Sequence, residues 1–430
     1  MTRSLIGDKM ASMSGLRSIM EDIATSTAGS DSGQWLNLSI GNPAPIPEVM
    51  QAWQELTEEA LVKNFGEASC NYGPSRGAAS LVLAITDYFN ERYGWGIRPE
   101  NVVVGPGSQM LCFIAAALYA GPGQAGRTRT VLPMMPDYTG YQGLCLSTDD
   151  ITGIASGIEI SDSGRHFRYT FDFAALEERT DIGMLLLSSP SNPTGRCVEK
   201  DELGELIRVA ERRDVPLLLD NAYGEPFPQI CRTATPPVYH PNVINSFTLS
   251  KAGLPGERIG FAIGAERYIT EMVAFLSNSA LHAPRLAQAA VANSLRSGAL
   301  DRLVSTVIKP FYASRRTKAE QLLADTMPAD IRWRVHTAAG GMFCWVWIDE
   351  DWFDDIELYH LLKQKHVFVT PGRNFFVISA DTRSADGHQT RCFRISLSPG
   401  EEILAEGMKR IADALAQLRD LAGQARSKVR

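Results

Sequence analysis

The 430-residue sequence has only seven cysteines, and no two of them form a CxxC pair. They are odd in number and scattered along the chain, at positions 70, 112, 145, 197, 231, 344 and 392. A disulfide framework or a structural zinc site requires paired spacings. The sequence therefore predicts buried or free thiols in a reducing compartment, and no metal site.

Long hydrophobic runs and an excess of basic charge are also missing. No segment approaches the roughly 18–20 apolar residues of a membrane-spanning helix, and residues 1–15 contain no apolar core of signal-peptide length. The formal net charge is −7, which argues against a general nucleic-acid or membrane-surface binder. We therefore expect a soluble cytoplasmic protein with neither kind of partner.

The composition is that of an ordinary globular protein, with 44% apolar and 21% charged residues and no repeat or low-complexity tract. At this length two domains are expected, because a single hydrophobic core does not keep growing with a chain of this size. From about residue 75 to 265, short apolar runs alternate with helical patterns, which predicts an α/β domain whose strands are covered on both faces. The predicted strands are Asn101–Val104, Gly183–Leu187, Val215–Leu219, Val243–Leu249 and Ile259–Ile263.

A change of rhythm after Ala265 indicates the second, smaller domain. A long helical region to about Met327 comes first. It is followed by predicted strands and a terminal helix, at Gly341–Ile348, Phe368–Thr370, Cys392–Leu397 and Glu401–Ala422. This order predicts an α+β unit beside a large domain with a mostly parallel sheet.

Polar residues follow the carboxyl ends of the predicted strands, the edge at which open α/β sheets bind ligands. At Gly105–Gln109, a glycine turn opens a helix with Ser108 near its first position, which suits a phosphate. Taken alone, this motif is more often a plain turn with a serine cap. The sequence SSPSNPTG at 188–195 imposes a rigid turn that projects Asn192.

Two further strand ends carry charged residues. Asp220 follows three leucines, where an unpaired carboxylate is costly and requires a cation, although a helix cap explains it equally well. Lys251 ends an apolar strand, where desolvation lowers the lysine pKa and favours Schiff-base chemistry. Thr248, Ser250 and Arg258 offer groups suited to a phosphate. Together the four motifs supply the lysine, carboxylate and phosphate cup that a pyridoxal-phosphate (PLP) site demands.

An ordered series of motifs resembles the class I/II aminotransferases of PLP fold type I. The series includes GNPAPIPE at 41–48, CNYGPSRG at 70–77, DYTGY at 137–141, NPTG at 192–195, DNAYGEPFP at 220–228, SKAGLPGERIG at 250–260 and HQTRCFR at 388–394. A single NPTG is modest evidence, but the ordered series spans nearly the whole chain. The resemblance implies that residues 1–50 belong to the small domain and the active-site mouth. It implies a large PLP-binding domain at 51–310 and a small C-terminal domain at 311–430.

The resemblance also implies cofactor contacts. Lys251 would carry PLP as a Schiff base and move a proton during turnover, and Asp220 would pair with the ring nitrogen. Asn192 and Tyr223 would hydrogen-bond the ring hydroxyl, and Tyr138 would stack on the ring. The phosphate would be held by Ser108, Gln109, Thr248, Ser250 and Arg258.

Substrate and subunit contacts are implied in the same way. Arg394 would bind the substrate carboxylate beside Gly41, Asn42 and Asn192, and Tyr72 would reach the site of the neighbouring subunit in a homodimer. No motif places a second arginine for a distal carboxylate. We therefore expect amino transfer between a small apolar amino acid, valine- or alanine-like, and a 2-oxo acid such as pyruvate. Residues 373–387, with Arg373 and Arg383, diverge from the family pattern beside the expected side-chain position.

Two alternatives stay open. One is an elimination or replacement enzyme of a specialised biosynthetic pathway, with the same fold and cofactor. The other is a non-catalytic PLP-binding regulatory module. Regulators of that kind carry a DNA-binding domain ahead of the aminotransferase-like part, for which residues 1–50 are too short. The presence of Lys251, Asp220 and Arg394 also disfavours that alternative.

Overall fold

A computed structural model of the chain describes residues 3–11, 16–28, 35–124, 126–377 and 387–429. In these residues the central sheet has eight strands, one of which, Ile151–Gly153, pairs beside the main path. The path runs in the order Val102–Gly105, Gly260–Ile263, Val243–Thr248, Leu217–Asp220, Ile182–Ser188, Gly126–Leu132 and Gly121–Gly123. The four strands from Val243–Thr248 to Gly126–Leu132 are parallel, which confirms the predicted sheet type.

All five strands predicted from apolar runs are present, with ends shifted by at most two residues. Every residue in them is buried, which confirms that both faces of the sheet are covered. The strand Gly126–Leu132 is absent from the prediction because its sequence, GRTRTVL, begins with exposed and half-exposed polar residues. It therefore shows no continuous apolar run.

Helices pack on both faces because alternate strand residues point in opposite directions. Leu218 packs in the core with the helices Ser108–Tyr119 and Glu266–Ser279, whereas Leu217 packs in the core with Lys200–Arg213. The remaining α-helices are Leu5–Met10, Leu16–Thr27, Pro47–Cys70, Ala79–Tyr93, Phe173–Glu178, Arg285–Arg296, Ala299–Leu303, Lys309–Thr326, Asp355–Gln364 and Glu401–Val429.

A second sheet of six strands lies in the smaller part of the chain. Its order is Thr370–Pro371, Cys392–Ser396, Phe343–Ile348, Trp333–His336, His166–Thr170 and Gly157–Ile160. The last two strands form a hairpin from within the range 51–310, so that range contributes to both sheets. Near the N-terminus, Leu36–Asn37 pairs in parallel with Val367–Phe368. The boundaries at residues 50 and 310 stay a prediction.

The register of the central strands brings the polar strand ends together. Ser188 pairs with Asp220, and Asp220 pairs with Ser246 on the next strand. Because these strands are parallel, the loops that follow them leave the sheet at one edge. Asn192 and Lys251 lie in those loops, so the topology places them beside Asp220.

Candidate active site

A cavity of about 520 Å³ opens at this edge of the central sheet. Its walls include all of the expected site residues except Tyr72: Gly41, Asn42, Ser108, Gln109, Tyr138, Asn192, Asp220, Tyr223, Thr248, Ser250, Lys251, Arg258 and Arg394. Residues from both ends of the sequence therefore share one cavity.

Lys251 lies in a short 3₁₀ turn, Ser250–Ala252, and its half-buried side chain faces the cavity. Its Nζ donates a hydrogen bond to the carbonyl oxygen of Gly41 at 2.7 Å. Burial lowers the pKa of Lys251 to about 8, and the guanidinium groups of Arg394 and Arg258 contribute to that lowering. This environment favours the neutral, nucleophilic amine.

Asp220 ends its strand with only one of its two carboxylate oxygens satisfied. Oδ2 accepts a hydrogen bond from the Tyr141 hydroxyl at 3.0 Å, whereas Oδ1 is buried and has no partner among the described residues. Burial raises the pKa of Asp220 to about 6, although the Tyr141 hydroxyl and the backbone N–H of Ala222 lower it. A protonated ring nitrogen would give Oδ1 the donor that it lacks.

The turn before Ser108 forms a cradle for an anion. Gly107 has a φ of 87°, and a Cβ atom at this position would lie 2.5 Å from a guanidinium nitrogen of Arg258. The Arg258 Nη1 donates to the Ser250 hydroxyl at 3.2 Å, and the Thr248 hydroxyl donates to the same oxygen at 3.0 Å. A helix N-terminus, a guanidinium and two hydroxyls together suit a phosphate.

The segment around Tyr138 forms another wall of the cavity. The Tyr138 ring meets the Tyr141 ring edge-on, with 5.2 Å between centroids. The Gln109 side-chain amide donates to the carbonyl oxygen of Gly140 at 3.1 Å. This hydrogen bond ties the wall to the helix that begins at Ser108.

Arg394 is 1% exposed, and its hydrogen-bond partners in the described chain are uncharged. Nη1 donates to Asn192 Oδ1 at 2.9 Å, and Nη2 donates to the carbonyl oxygen of Ser39 at 2.8 Å. The guanidinium carbon lies 3.9 Å from the centroid of the Phe343 ring. Burial lowers the pKa of Arg394 to about 10. A buried guanidinium without a protein carboxylate is suited to bind the carboxylate of a ligand.

The turn at Gly41-Asn42 lies between Lys251, which donates to Gly41, and Ser398, which follows Arg394 in the chain. The carbonyl oxygen of Asn42 accepts a hydrogen bond from the Ser398 hydroxyl at 2.8 Å. Tyr223 is 4% exposed and has its ring centroid 5.9 Å from Lys251 Nζ. The turn thus connects the lysine to the segment that follows the strand Cys392–Ser396.

The helix Leu16–Thr27 contributes apolar side chains to the mouth of the cavity, from Met20, Ile23 and Ala24. Asp22 of this helix accepts hydrogen bonds from the Tyr359 hydroxyl and from Lys363 Nζ, each at 2.6 Å. The bonds from Lys363 and Tyr359 lower the pKa of Asp22. They also attach the helix to Asp355–Gln364.

Residues 33–411 match the family model for aminotransferase class I and II. The chain belongs to this family. Valine–pyruvate aminotransferase of Escherichia coli (strain K12) is 34% identical over 419 residues, which cover 96% of this chain and 98% of that protein.

Solved structures of aminotransferases have the same fold as this chain. A putative amino-acid aminotransferase from Psychrobacter arcticum 273-4 has a TM-score of 0.91 at 28% identity and covers 98% of this chain and 99% of that one. Valine-pyruvate aminotransferase from Salmonella typhimurium LT2 has a TM-score of 0.83 at 29% identity and covers 94% of this chain and 99% of that one. The predicted PLP fold type I is therefore confirmed.

Class I and II aminotransferases depend on PLP, and this chain is a PLP-dependent aminotransferase. The site fits that cofactor: Asp220 Oδ1 lacks a donor, Gly107 leaves room beside Arg258, and the pKa of Lys251 is lowered. Among the described residues, no group of three His, Cys, Asp or Glu side chains could hold a metal ion. All seven cysteines are free, as predicted, and six of them are buried. No described helix has the length and apolarity needed to cross a membrane.

The sequence motifs miss several residues of the aminotransferase site. Tyr141 belongs to the DYTGY motif, but the motif itself does not indicate that Tyr141 contacts Asp220. The only signal is its position three residues after Tyr138, because a 3₁₀ turn places residues with this spacing on one side. Ser39 contacts Arg394 through its backbone carbonyl, which leaves no signature in the side-chain sequence. Ser188 lines the cavity at the end of its strand.

Arg373, the described arginine of the divergent segment, has another partner, and so has Arg391, which lies just beyond that segment. Arg373 Nε donates to Asp355 Oδ1 at 2.6 Å, and Arg391 pairs with Asp351 at 2.9 Å. Neither lines the cavity. Arg383 lies outside the described residues, as does most of the divergent segment.

Proposed function

We propose that this enzyme transfers an amino group between a small apolar α-amino acid, such as valine or alanine, and a 2-oxo acid such as pyruvate. The activity in the name of the E. coli relative supports this choice. The charge of the cavity carries the argument. Among the described residues its cationic lining consists of Lys251, Arg258 and Arg394. With the first two assigned to the cofactor, one cation remains for one carboxylate.

The apolar mouth supports the same substrate class. Met20, Ile23 and Ala24 line the same cavity as Arg394, and we infer that they face the side chain of a donor bound to Arg394. Among the described lining residues no further cation would pair with a second carboxylate, so any desolvation of that carboxylate would go uncompensated. Aspartate and glutamate should therefore be poor donors.

The proposed roles follow the geometry. PLP, when bound, supplies a ring that accepts electrons as the donor loses its Cα proton. We assign to Lys251 the attachment of the cofactor and the movement of the proton, and to Asp220 the retention of a proton on the ring nitrogen. Asn192 and Tyr223 hold the ring hydroxyl, and Tyr138 covers the ring. The phosphate is assigned to Ser108, Gln109, Thr248, Ser250 and Arg258.

A panel of amino donors tests this proposal. Purified holoenzyme is mixed with valine, alanine, aspartate or glutamate, and the conversion of PLP to pyridoxamine phosphate is followed together with the 2-oxo acid. Valine or alanine should give both products. A clear preference for aspartate would reject the apolar pocket. Ammonia or a replaced side chain, without pyridoxamine phosphate, would favour elimination or replacement.

Arg394→Ala should weaken binding of every amino-acid donor by about 2–5 kcal/mol, because it removes the proposed carboxylate contact from a buried site. The measurement is the dissociation constant of each donor, from the concentration dependence of the single-turnover conversion of PLP to pyridoxamine phosphate. Arg391→Ala is the matched control, since Arg391 pairs with Asp351 outside the cavity. Equal donor affinity in wild type and Arg394→Ala would contradict the assignment.

We also propose a homodimer in which Tyr72 serves the neighbouring site. Tyr72 is 86% exposed in the single chain, and the preceding helix exposes Val62 (85%) and Phe65 (52%). Val62 and Phe65 lie three residues apart on this helix and therefore on one face, and exposed apolar side chains grouped in this way are typical of an interface.

Mixing two inactive variants tests the shared site. Tyr72→Ala and Lys251→Ala subunits should form hybrids with one intact site, which restores about a quarter of wild-type activity after random exchange. Sedimentation should show a dimer at assay concentration. A fully active monomer, or no recovery on mixing despite proven exchange, would contradict the prediction.

A further inference from the structure

We propose that Asp137 is a positioning residue of the reaction: through the Ser188 hydroxyl it fixes Asn192, and thereby the orientation of Arg394 toward the donor carboxylate. This inference rests on the proposed role of Arg394. None of the sequence motifs assigns a role to Asp137.

Asp137 immediately precedes Tyr138 and is 2% exposed. Its carboxylate binds the end of the strand Ile182–Ser188 with both oxygens. Oδ1 accepts hydrogen bonds from the Ser188 hydroxyl and from the backbone N–H of Tyr138, the latter at 2.7 Å. Oδ2 accepts one from the backbone N–H of Ser188 at 3.1 Å. Asp137 thus fixes both the backbone and the hydroxyl rotamer of Ser188.

Two connections lead from Asp137 to Arg394. In the first, the Ser188 hydroxyl oxygen accepts a hydrogen bond from the Asn192 N–H at 3.3 Å, and Asn192 Oδ1 accepts one from Arg394 at 2.9 Å. In the second, the Asp137 N–H donates to the carbonyl oxygen of Phe375 at 3.1 Å. The Phe375 ring centroid lies 5.1 Å from the Arg394 guanidinium carbon. The carboxylate of Asp137 therefore supports Arg394 through Ser188 and Asn192, and its backbone does so through Phe375.

Burying this carboxylate costs free energy, which argues that Asp137 does more than accept the adjacent Tyr138 N–H. All of its hydrogen-bond donors in the described chain are neutral. Burial raises the pKa of Asp137 to about 7, and the charge of Asp220 raises it as well. A serine or asparagine could accept the Tyr138 N–H with less desolvation. Only a carboxylate also accepts both donors of Ser188, and buried carboxylates of this kind cluster at functional sites.

Asp137→Asn tests the connection, because it keeps the size of the side chain but turns an amide N–H₂ toward a donor. In the holoenzyme, the donor KM should rise about tenfold, whereas the affinity for PLP should change less than about threefold. The affinity for PLP is less affected because the phosphate cradle and Lys251, the proposed attachment point, lie on other elements, so that only the ring contacts of Tyr138 and Asn192 depend on Asp137. A role in stability alone would not separate these two constants.

Ser188→Ala removes the hydroxyl that joins Asp137 to Asn192 and should give the same separation. Because the two residues act in one chain, the double variant should raise KM no more than about twofold beyond the larger single effect. Asp150→Asn is the matched control. Asp150 is also 2% exposed, but it pairs with Arg127 and does not line the cavity.

An unchanged donor KM in both single variants would overturn the inference, as would an equal loss of donor and PLP affinity. Multiplicative effects in the double variant would overturn the link through Ser188. If Asp137→Asn does not fold, Ser188→Ala decides, because it keeps the carboxylate and both backbone bonds. A wild-type enzyme that accepts no α-amino acid would instead refute the proposed function, which separates the two failures.

Discussion

Replacing Lys251 with alanine should abolish transamination while the protein keeps its fold. The lowered pKa of about 8, compared with an ordinary 10.5, raises the neutral amine fraction at neutral pH roughly 300-fold. Removing the amine removes both the attachment point of the cofactor and the proposed proton carrier. We expect turnover to fall by at least about 10⁴-fold. The phosphate cradle and Asp220 remain, so PLP should still bind without a covalent link.

Borohydride reduction followed by peptide mass mapping measures the attachment directly. The pyridoxyl adduct should lie on Lys251 in the wild type and be absent from Lys251→Ala. Lys318→Ala, an exposed change on the helix Lys309–Thr326, is the control and should keep both adduct and activity. An adduct on another lysine of the wild type would refute the assignment.

The parts of the site that the sequence predicts are those that follow strand ends. Asp220, Asn192 and Lys251 come directly after apolar runs, and parallel pairing brings such ends to one edge. The lowered pKa of Lys251 follows from the same placement, because a lysine there leaves water. Only local patterns were needed for this part of the fold.

Contacts between distant segments could not be predicted in the same way. The hairpin 157–170 joins the second sheet although it lies within the large-domain range, because strand pairing is decided by tertiary contacts. Met20 and Ile23 reach the cavity through a helix that Asp22 ties to Lys363, 341 residues away in sequence. Periodicity describes the helix but not what the helix contacts.

Burial shifts the pKa values of the charged groups of the site, and the direction depends on the sign of the charge. It lowers the pKa of Lys251 and of Arg394 and raises the pKa of Asp220. The shifts of Arg394 and Asp220 each reflect a partner that is missing in the protein: an anion for Arg394 and a cation for Asp220. The cofactor ring and the substrate carboxylate would supply these partners, so binding should relieve the electrostatic cost that the folded chain retains.

Asp220→Asn should therefore separate stability from activity. Turnover should fall about 100- to 1,000-fold, because an amide cannot favour a proton on the ring nitrogen as a carboxylate does. PLP should still bind through its phosphate. Tyr141→Phe removes one hydrogen bond to Asp220 and should cost far less, about three- to tenfold. Near-normal transamination by Asp220→Asn would show that the assigned role is wrong.

The unfolding free energy of the cofactor-free protein provides the second measurement. Because burial raises the pKa of Asp220 to about 6, above its ordinary 3.8, the folded protein binds this proton more tightly than the unfolded chain. The stabilisation is complete below about pH 4 and is lost as the pH rises through about 6. An asparagine side chain does not ionise, so Asp220→Asn should gain about 2 kcal/mol relative to wild type between pH 4 and pH 8. Denaturant unfolding of both proteins at these two pH values measures the difference. If Asp220→Asn instead lost stability relative to wild type over this range, Asp220 would have a cationic partner in the cofactor-free protein.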